Sequence, residues 1–215
     1  GNAAKGVTRL DDDKIIGLST LGVYLTRYYD TGRVVVPARA LGADVGLQKH
    51  RDVILNAVRG LSASTNTPTA RSFAETVAYL MGTTTAGVSN SGFGYSDLST
   101  KNLAQTLYSS PTSLSQDDGI KKCSGQGVYV LTDGEPTQDS SSLSLMRKAL
   151  GSEGSYFTCD NSSWGCIHAM TRTLLNPANN PKGLKFKSAV VGFGSGFNNV
   201  PSYDKTKTQQ ENIDA

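Results

Sequence analysis

The chain has 215 residues, enough for one domain with a sizeable core, and 23 Gly, 24 Ser and 21 Thr make up nearly a third of it. Only 18% of residues are charged, below the roughly 25% of an average soluble domain, which excludes a coiled coil; the β-branched and aromatic content argues against ordinary disorder. The net charge of +3 is too small to imply a nucleic-acid partner, and no apolar run is long enough to span a membrane.

A compact domain with long Ser/Thr/Gly-rich loops fits this profile, which is commoner outside the cell than inside. No leader pattern heads the sequence, so it reads as a mature or trimmed segment. In chain order, residues 11–29 read as a helix. Asp11, Asp12 and Asp13 would cap it, a more economical role than metal binding, and Ile15, Leu18, Leu25 and Tyr28 recur at helical spacing. Gly32 stops it, and Val34-Val35-Val36 before Pro37 reads as a short edge strand. A second helix is expected over residues 50–61, with Ile54, Ala57, Val58 and Leu61 on one face.

Thr67-Pro68-Thr69-Ala70 opens a third helix, with Pro68 at its first position, Thr67 as N-cap and Phe73, Val77 and Leu80 as its buried stripe. Periodicity then disappears from about residue 82 to 119, apart from a short helix expected over 102–108. Gly127-Val128-Tyr129-Val130-Leu131 is a continuous apolar run, as expected for a strand buried on both faces of a parallel sheet. A helix capped near Asp139 carries Leu143, Met146 and Leu150; another carries Ile167, Met170 and Leu174 and stops at Pro177. Residues 186–193 form a second buried strand, and a polar tail or linker occupies 201–215. Helices alternating with buried strands predict an α/β fold, a mostly parallel sheet with helices on both faces.

Of the three cysteines, Cys159 and Cys166 flank a polar six-residue loop and are the expected disulfide, although sequence alone leaves three pairings open. Cys123 is then free or paired outside the segment. Zinc is disfavoured, because neither a C-x₂-C spacing nor paired histidines occur.

Ligands of open parallel sheets bind beyond the carboxyl ends of the strands. Asp133 follows the central strand directly, and Thr67, at the start of another helix, could reach the same rim. A carboxylate and a hydroxyl, completed by water, suit a hard divalent cation such as Mg²⁺. The bland alternatives are an Asp-Gly turn and an N-cap; the pairing of the two on these elements favours the metal. Catalysis finds little support. His50 and His168 are the only histidines, and neither accompanies a nucleophile motif; Gly192-Phe193-Gly194-Ser195-Gly196 lacks the lysine of a phosphate loop.

Thr67-Pro68-Thr69-Ala70 followed by Val128-Tyr129-Val130-Leu131-Thr132-Asp133-Gly134-Glu135-Pro136 resembles a von Willebrand factor A domain. The resemblance implies a Rossmann-like fold over residues 1–200, with insertions at about 82–119 and 151–166. It implies a metal-ion-dependent adhesion site in which Thr67 takes the threonine position, Thr69 being its weaker competitor, and Asp133 the aspartate position. Glu135 falls on the partner-binding rim, and the ion would be Mg²⁺ or Mn²⁺, with Ca²⁺ possible.

Trp164-Gly165-Cys166-Ile167, residues 176–183 from Asn176-Pro177 to Lys182-Gly183, and Ala189-Val190-Val191-Gly192-Phe193-Gly194-Ser195 further resemble the N-terminal region of the PilC/PilY adhesins of type IV pili. That likeness implies a place at the pilus tip or outer-membrane surface, with a host-cell receptor, matrix protein, pilus or minor pilins as partners. A structural or force-transmitting domain with a vestigial metal site is the alternative. The family's first strand ends Asp-x-Ser-x-Ser and supplies most of the direct ligands; no such motif occurs here. The first central strand is therefore expected to be missing, supplied by residues before Gly1, or replaced. The stretch from Thr67 to Asp133 is also about twice what one helix and one strand need, the surplus being the first insertion.

Overall fold

In the computed structural model, the residues described are 3–22, 31–62, 66–115, 125–132, 134–137, 140–160, 162–192, 204, 206–208 and 211. The elements in order are α1 (Ala3–Arg9), β1 (Ile15–Thr20), β2 (Arg33–Ala40), β3 (Asp44–Val45), β4 (Gln48–Lys49), α2 (His50–Arg59), α3 (Thr69–Met81), β5 (Gln126–Thr132), α4 (Ser142–Ala149), α5 (Ser163–Leu175) and β6 (Phe186–Gly192). β1 and β2 pair antiparallel, β3 and β4 form a small ribbon, and β5 and β6 pair parallel from Gln126 with Phe186 to Thr132 with Gly192. Among the described residues the fold is thus mixed α/β with one parallel strand pair. No helix of the described residues is long and apolar enough to cross a membrane.

The fold is arranged around α3. Eleven of its thirteen residues are buried, so it behaves as a core helix rather than one with a single apolar stripe. It packs on β1 and β2 and on β5, α4 and α5. Phe73, Val77, Leu145, Met146, Leu150, Met170, Leu174 and Phe186 belong to the main core. Val36, Leu41 and Ile54 form a smaller one beneath α2, where buried His50 sets its Nε2 2.8 Å from the Ile16 carbonyl oxygen.

Several sequence expectations change. The helix expected over 11–29 is, where described, a turn at Asp11–Asp13 followed by strand β1; Leu25 and Tyr28 lie outside the described residues. The acidic triplet caps nothing: the Asp12 carboxylate meets Arg51 at 2.9 Å, and Asp13 meets Lys14 at 3.0 Å. Register shifts in β1 on both sides of Leu18 break the period-2 alternation, which is why Ile15 and Leu18 read as helical. A cross-strand partner, Val34 to Val36 of β2, outweighs that local pattern. β2 itself continues through Pro37, and β1 is its one strand partner among the described residues.

Helix α2 agrees with expectation but for its last two residues. Helix α3 begins at Thr69, one residue later than expected; Pro68 occupies the cap position and no side chain caps the helix. The short helix expected over 102–108 is a turn closed by a Lys101–Tyr108 bridge. The reason is Asn102, whose Oδ1 accepts the Thr106 and Leu107 amides at 2.9 and 3.3 Å. The surrounding stretch is no loose insertion, since Phe93, Tyr108 and Leu114 all enter the main core.

The parallel pair is not buried on both faces. Val130, Thr132 and Phe186 turn inwards, whereas Tyr129 (63% exposed) and Leu131 (52%) face outwards beside their register partners Ala189 and Val191. Among the described residues, helices therefore cover one face of this pair and not both.

The second expected insertion ends early, because Ser163 already begins α5 and places Cys166 in its first turns. Cys159 and Cys166 are disulfide-bonded with Cα atoms 4.9 Å apart; Cys123 lies outside the described residues. Between them the Asp160 carboxylate accepts the Ser162 amide (3.1 Å) and hydroxyl (2.9 Å), which holds it below the usual carboxylate range. The Ser162 hydroxyl in turn caps α5 at the Gly165 amide, 3.0 Å away. A Cβ at Gly165 would lie 2.0 Å from the Asp160 carboxylate, so a larger residue there would have to displace that side chain from the loop. Replacing both cysteines by serine is expected to cost about 2–3 kcal/mol for so short a loop, measured as a shift in urea midpoint that reducing agent reproduces in the parent chain.

Candidate functional site

The loop after β5 and the segment entering α3 meet at one end of the molecule. The Thr67 amide donates to Thr137 Oγ1 at 2.9 Å, and the Thr137 amide returns a bond to the Thr67 carbonyl at 2.8 Å. A reciprocal clamp of this kind fixes residues far apart in sequence without using either strand edge. It carries Thr67 Oγ1 to 3.9 Å from the place a Cβ on Gly134 would occupy. Buried Thr132, the last residue of β5, donates its hydroxyl to the Gly134 carbonyl at 3.1 Å and so turns the chain at the strand end.

Thr67 is half-buried at this rim, and Glu135 is exposed in the same loop. Thr69 is fully buried and its hydroxyl is directed back to the Thr67 carbonyl at 3.4 Å. Asp133, between Thr132 and Gly134 in sequence, lies outside the described residues. Among the described residues no three or more His, Cys, Asp or Glu side chains converge as a metal cluster. The Thr67 hydroxyl is a hard oxygen donor of the kind Mg²⁺ or Ca²⁺ accepts.

Three residues shape this end of the molecule that sequence reasoning missed. Arg71, buried in the first turn of α3, donates from Nε to the Ser140 carbonyl (3.0 Å) and from its terminal nitrogen to Ser140 Oγ (2.7 Å). Asn90 donates to Ser141 Oγ at 3.1 Å and accepts the Thr31 hydroxyl on its carbonyl at 2.7 Å. Glu75, one turn beyond Arg71, is fully buried. A charged pair spaced i, i+4 within an otherwise apolar helix was the available signal for Arg71 and Glu75; nothing in the sequence marks Asn90.

A separate cleft of about 300 Å³ lies between α5 and β6, lined by Trp164, Ile167, His168, Thr171, Ser188 and Val190. Ser188 and Val190 pair with Val128 and Val130, so this cleft sits below the rim rather than on it. No acidic side chain lines it. Of the two histidines, then, His50 is a packed link between α2 and β1, and His168 is exposed at this cleft.

Comparison of the chain with family models, curated proteins and solved structures finds no match.

Proposed function

We propose that the chain is a von Willebrand factor A-type adhesion module of a type IV pilus-associated PilC/PilY protein, displayed at the pilus tip or outer-membrane surface. It would bind an acidic group of a host receptor, a matrix protein or a pilus component through a divalent ion held by Thr67 and Asp133. The observation that carries this reading is the Thr67–Thr137 clamp, which sets the threonine of the motif beside the loop that follows Asp133. Thr69, buried and turned inwards, is poorly placed for the same role. The ion would supply a Lewis-acidic contact for the partner's carboxylate; Glu135, exposed on the rim, would select among partners by charge.

The Rossmann-like architecture belongs to the same proposal. α3 packs under both β1–β2 and β5–β6, and among the described residues no strand joins the two pairs. Asp133→Ala is expected to lower Mg²⁺- or Mn²⁺-dependent binding to immobilised partner at least tenfold while thermal stability stays within about 1 kcal/mol. Unchanged ion-dependent binding in that variant would remove the rim as the working surface.

The structural alternative is favoured by the outward apolar face of Tyr129, Leu131, Ala189 and Val191, a surface suited to packing on more protein. Function that persists in chelator, with no detectable Mg²⁺ or Mn²⁺ binding, would select it.

A further inference from the structure

One buried carboxyl group gathers hydrogen bonds from both ends of the loop of residues 82–115, which also packs Phe93, Tyr108 and Leu114 into the core. Glu75 Oε1 accepts the Thr85 hydroxyl and, at 2.7 Å, the Gly92 amide; Oε2 lies 2.6 Å from the Tyr108 hydroxyl. Around these, Ser91 Oγ stands 2.7 Å from Thr85 Oγ1, and Ser96 Oγ stands 2.7 Å from the Tyr108 hydroxyl. Ser96 Oγ also accepts the Val34 amide of β2 at 3.0 Å. Phe93 and Tyr79 close the site with edge-on contacts to the Tyr108 ring, at 4.8 and 6.0 Å between centroids. Gly92 is obligatory here, because a Cβ would fall 1.7 Å from the Gly32 carbonyl oxygen.

The protons in this cluster can be counted. Ser96 donates to the Gly92 carbonyl at 3.2 Å, so the single Tyr108 proton has two possible acceptors. With Glu75 ionised, Tyr108 donates to the carboxylate. With Glu75 neutral, Oε2–H donates to Tyr108, which passes its own proton to Ser96. The neutral form has a proton for each of the Glu75–Tyr108, Tyr108–Ser96 and Ser96–Gly92 contacts; the ionised form has one proton fewer and leaves either Tyr108–Ser96 or Ser96–Gly92 unbonded, so charge and bonding both separate the two forms.

The charge is poorly compensated. None of the ion pairs among the described residues includes Glu75. On α3, Arg71 directs its guanidinium to Ser140, and the Tyr79 hydroxyl accepts the Ala38 amide at 2.7 Å. From the loop, Tyr108 touches the carboxyl, Asp97 binds the Ser99 amide, and Lys101 acts on Glu75 only through space. The Lys101 ammonium stands over the Phe93 ring, 4.9 Å from its centroid, and desolvation lowers its own pKa. Burial outweighs the hydrogen bonds at Glu75 and raises its pKa above the ordinary 4.5; burial first, and then Glu75, pushes Tyr108 up.

We propose that Glu75 is a pH-operated fastener: neutral, it locks residues 82–115 onto α3, and its ionisation loosens that loop while the rest of the core stays packed. The loop carries Tyr95, Leu98, Leu103 and Leu107 exposed on its outer side, so the fastener also controls how firmly this apolar surface is presented. It operates whatever binds at the rim.

The sign follows from linkage. A carboxyl whose folded pKa is raised contributes fully below its unfolded value, and the contribution is lost as pH rises through the folded pKa. After correction for intrinsic exchange, the opening constant read at the Gly92 amide should rise about tenfold per pH unit from near 4.5 upwards, then level off once Glu75 ionises in the closed state. In Glu75→Gln the amide oxygen accepts Thr85 and Gly92 and the NH₂ group donates to Tyr108, so the same plot should be flat. Carbon-13 titration of the wild-type protein should place the Glu75 carboxyl above the ordinary glutamate value of 4.5. Parallel slopes in wild type and E75Q, or a Glu75 carboxyl titrating at the ordinary glutamate value, would overturn the proposal. If E75Q does not fold, the wild-type carboxyl titration and Gly92 exchange decide it alone.

Discussion

Glu75→Ala is expected to be among the most damaging single substitutions in the chain, lowering stability by about 3–5 kcal/mol. Three donors, the Gly92 amide and the Thr85 and Tyr108 hydroxyls, lose their acceptor inside the core, and a buried donor left unpaired costs about 1–3 kcal/mol. The cavity left by the side chain adds to this, because α3 is enclosed on every side and cannot collapse far. For a chain of this size the loss corresponds to a fall in Tm of roughly 6–20 °C by calorimetry. E75Q should lie within about 1 kcal/mol of wild type below pH 5, since it reproduces the neutral bonding pattern. If both variants lose the same amount, the side chain is valued for its volume and not for its hydrogen bonds.

Phe186→Ala should cost a comparable amount, about 3–5 kcal/mol, and Tyr129→Thr on the neighbouring strand less than about 1. Phe186 is fully buried at the start of β6, in the main core. Tyr129 points the other way and leaves most of its ring in water. Denaturant melts of the two variants measure the difference directly. Equal losses would mean that the outer face of the strand pair is covered in solution, as a doubly covered parallel sheet requires.

That pair of strands shows where sequence reasoning succeeds and where it stops. Val128 to Leu131 and Ala189 to Val191 were legible as strands, because short β-branched and apolar runs bounded by glycine have few other uses. Their burial was not legible, because a continuous apolar run says that both faces can be covered, not that both are. Helix α3 shows the converse. Its stripe of Phe73, Val77 and Leu80 was visible, and on that helical wheel Glu75 reads as a solvated residue. Burial of Glu75 depends on a loop seventeen residues further on delivering Gly92 to it, a contact no local pattern encodes. At the rim, the sequence proposed that Thr67 and the loop after β5 come together, and their backbones do meet; the clamp residue Thr137 was invisible, since it belongs to no periodic pattern.

The loop of residues 82–115 is secured near its two ends, at Thr85, Ser91 and Gly92 on one side and Tyr108 on the other, while Leu103 and its neighbours stand fully in solvent. Mutational pressure is therefore distributed very unevenly along it. Residues at the anchors have almost no freedom to change, and the side chains between about 103 and 107 can drift at little cost to folding while Asn102 still closes their turn. Such a stretch is a place where sequence can diversify, held by a few core residues that cannot.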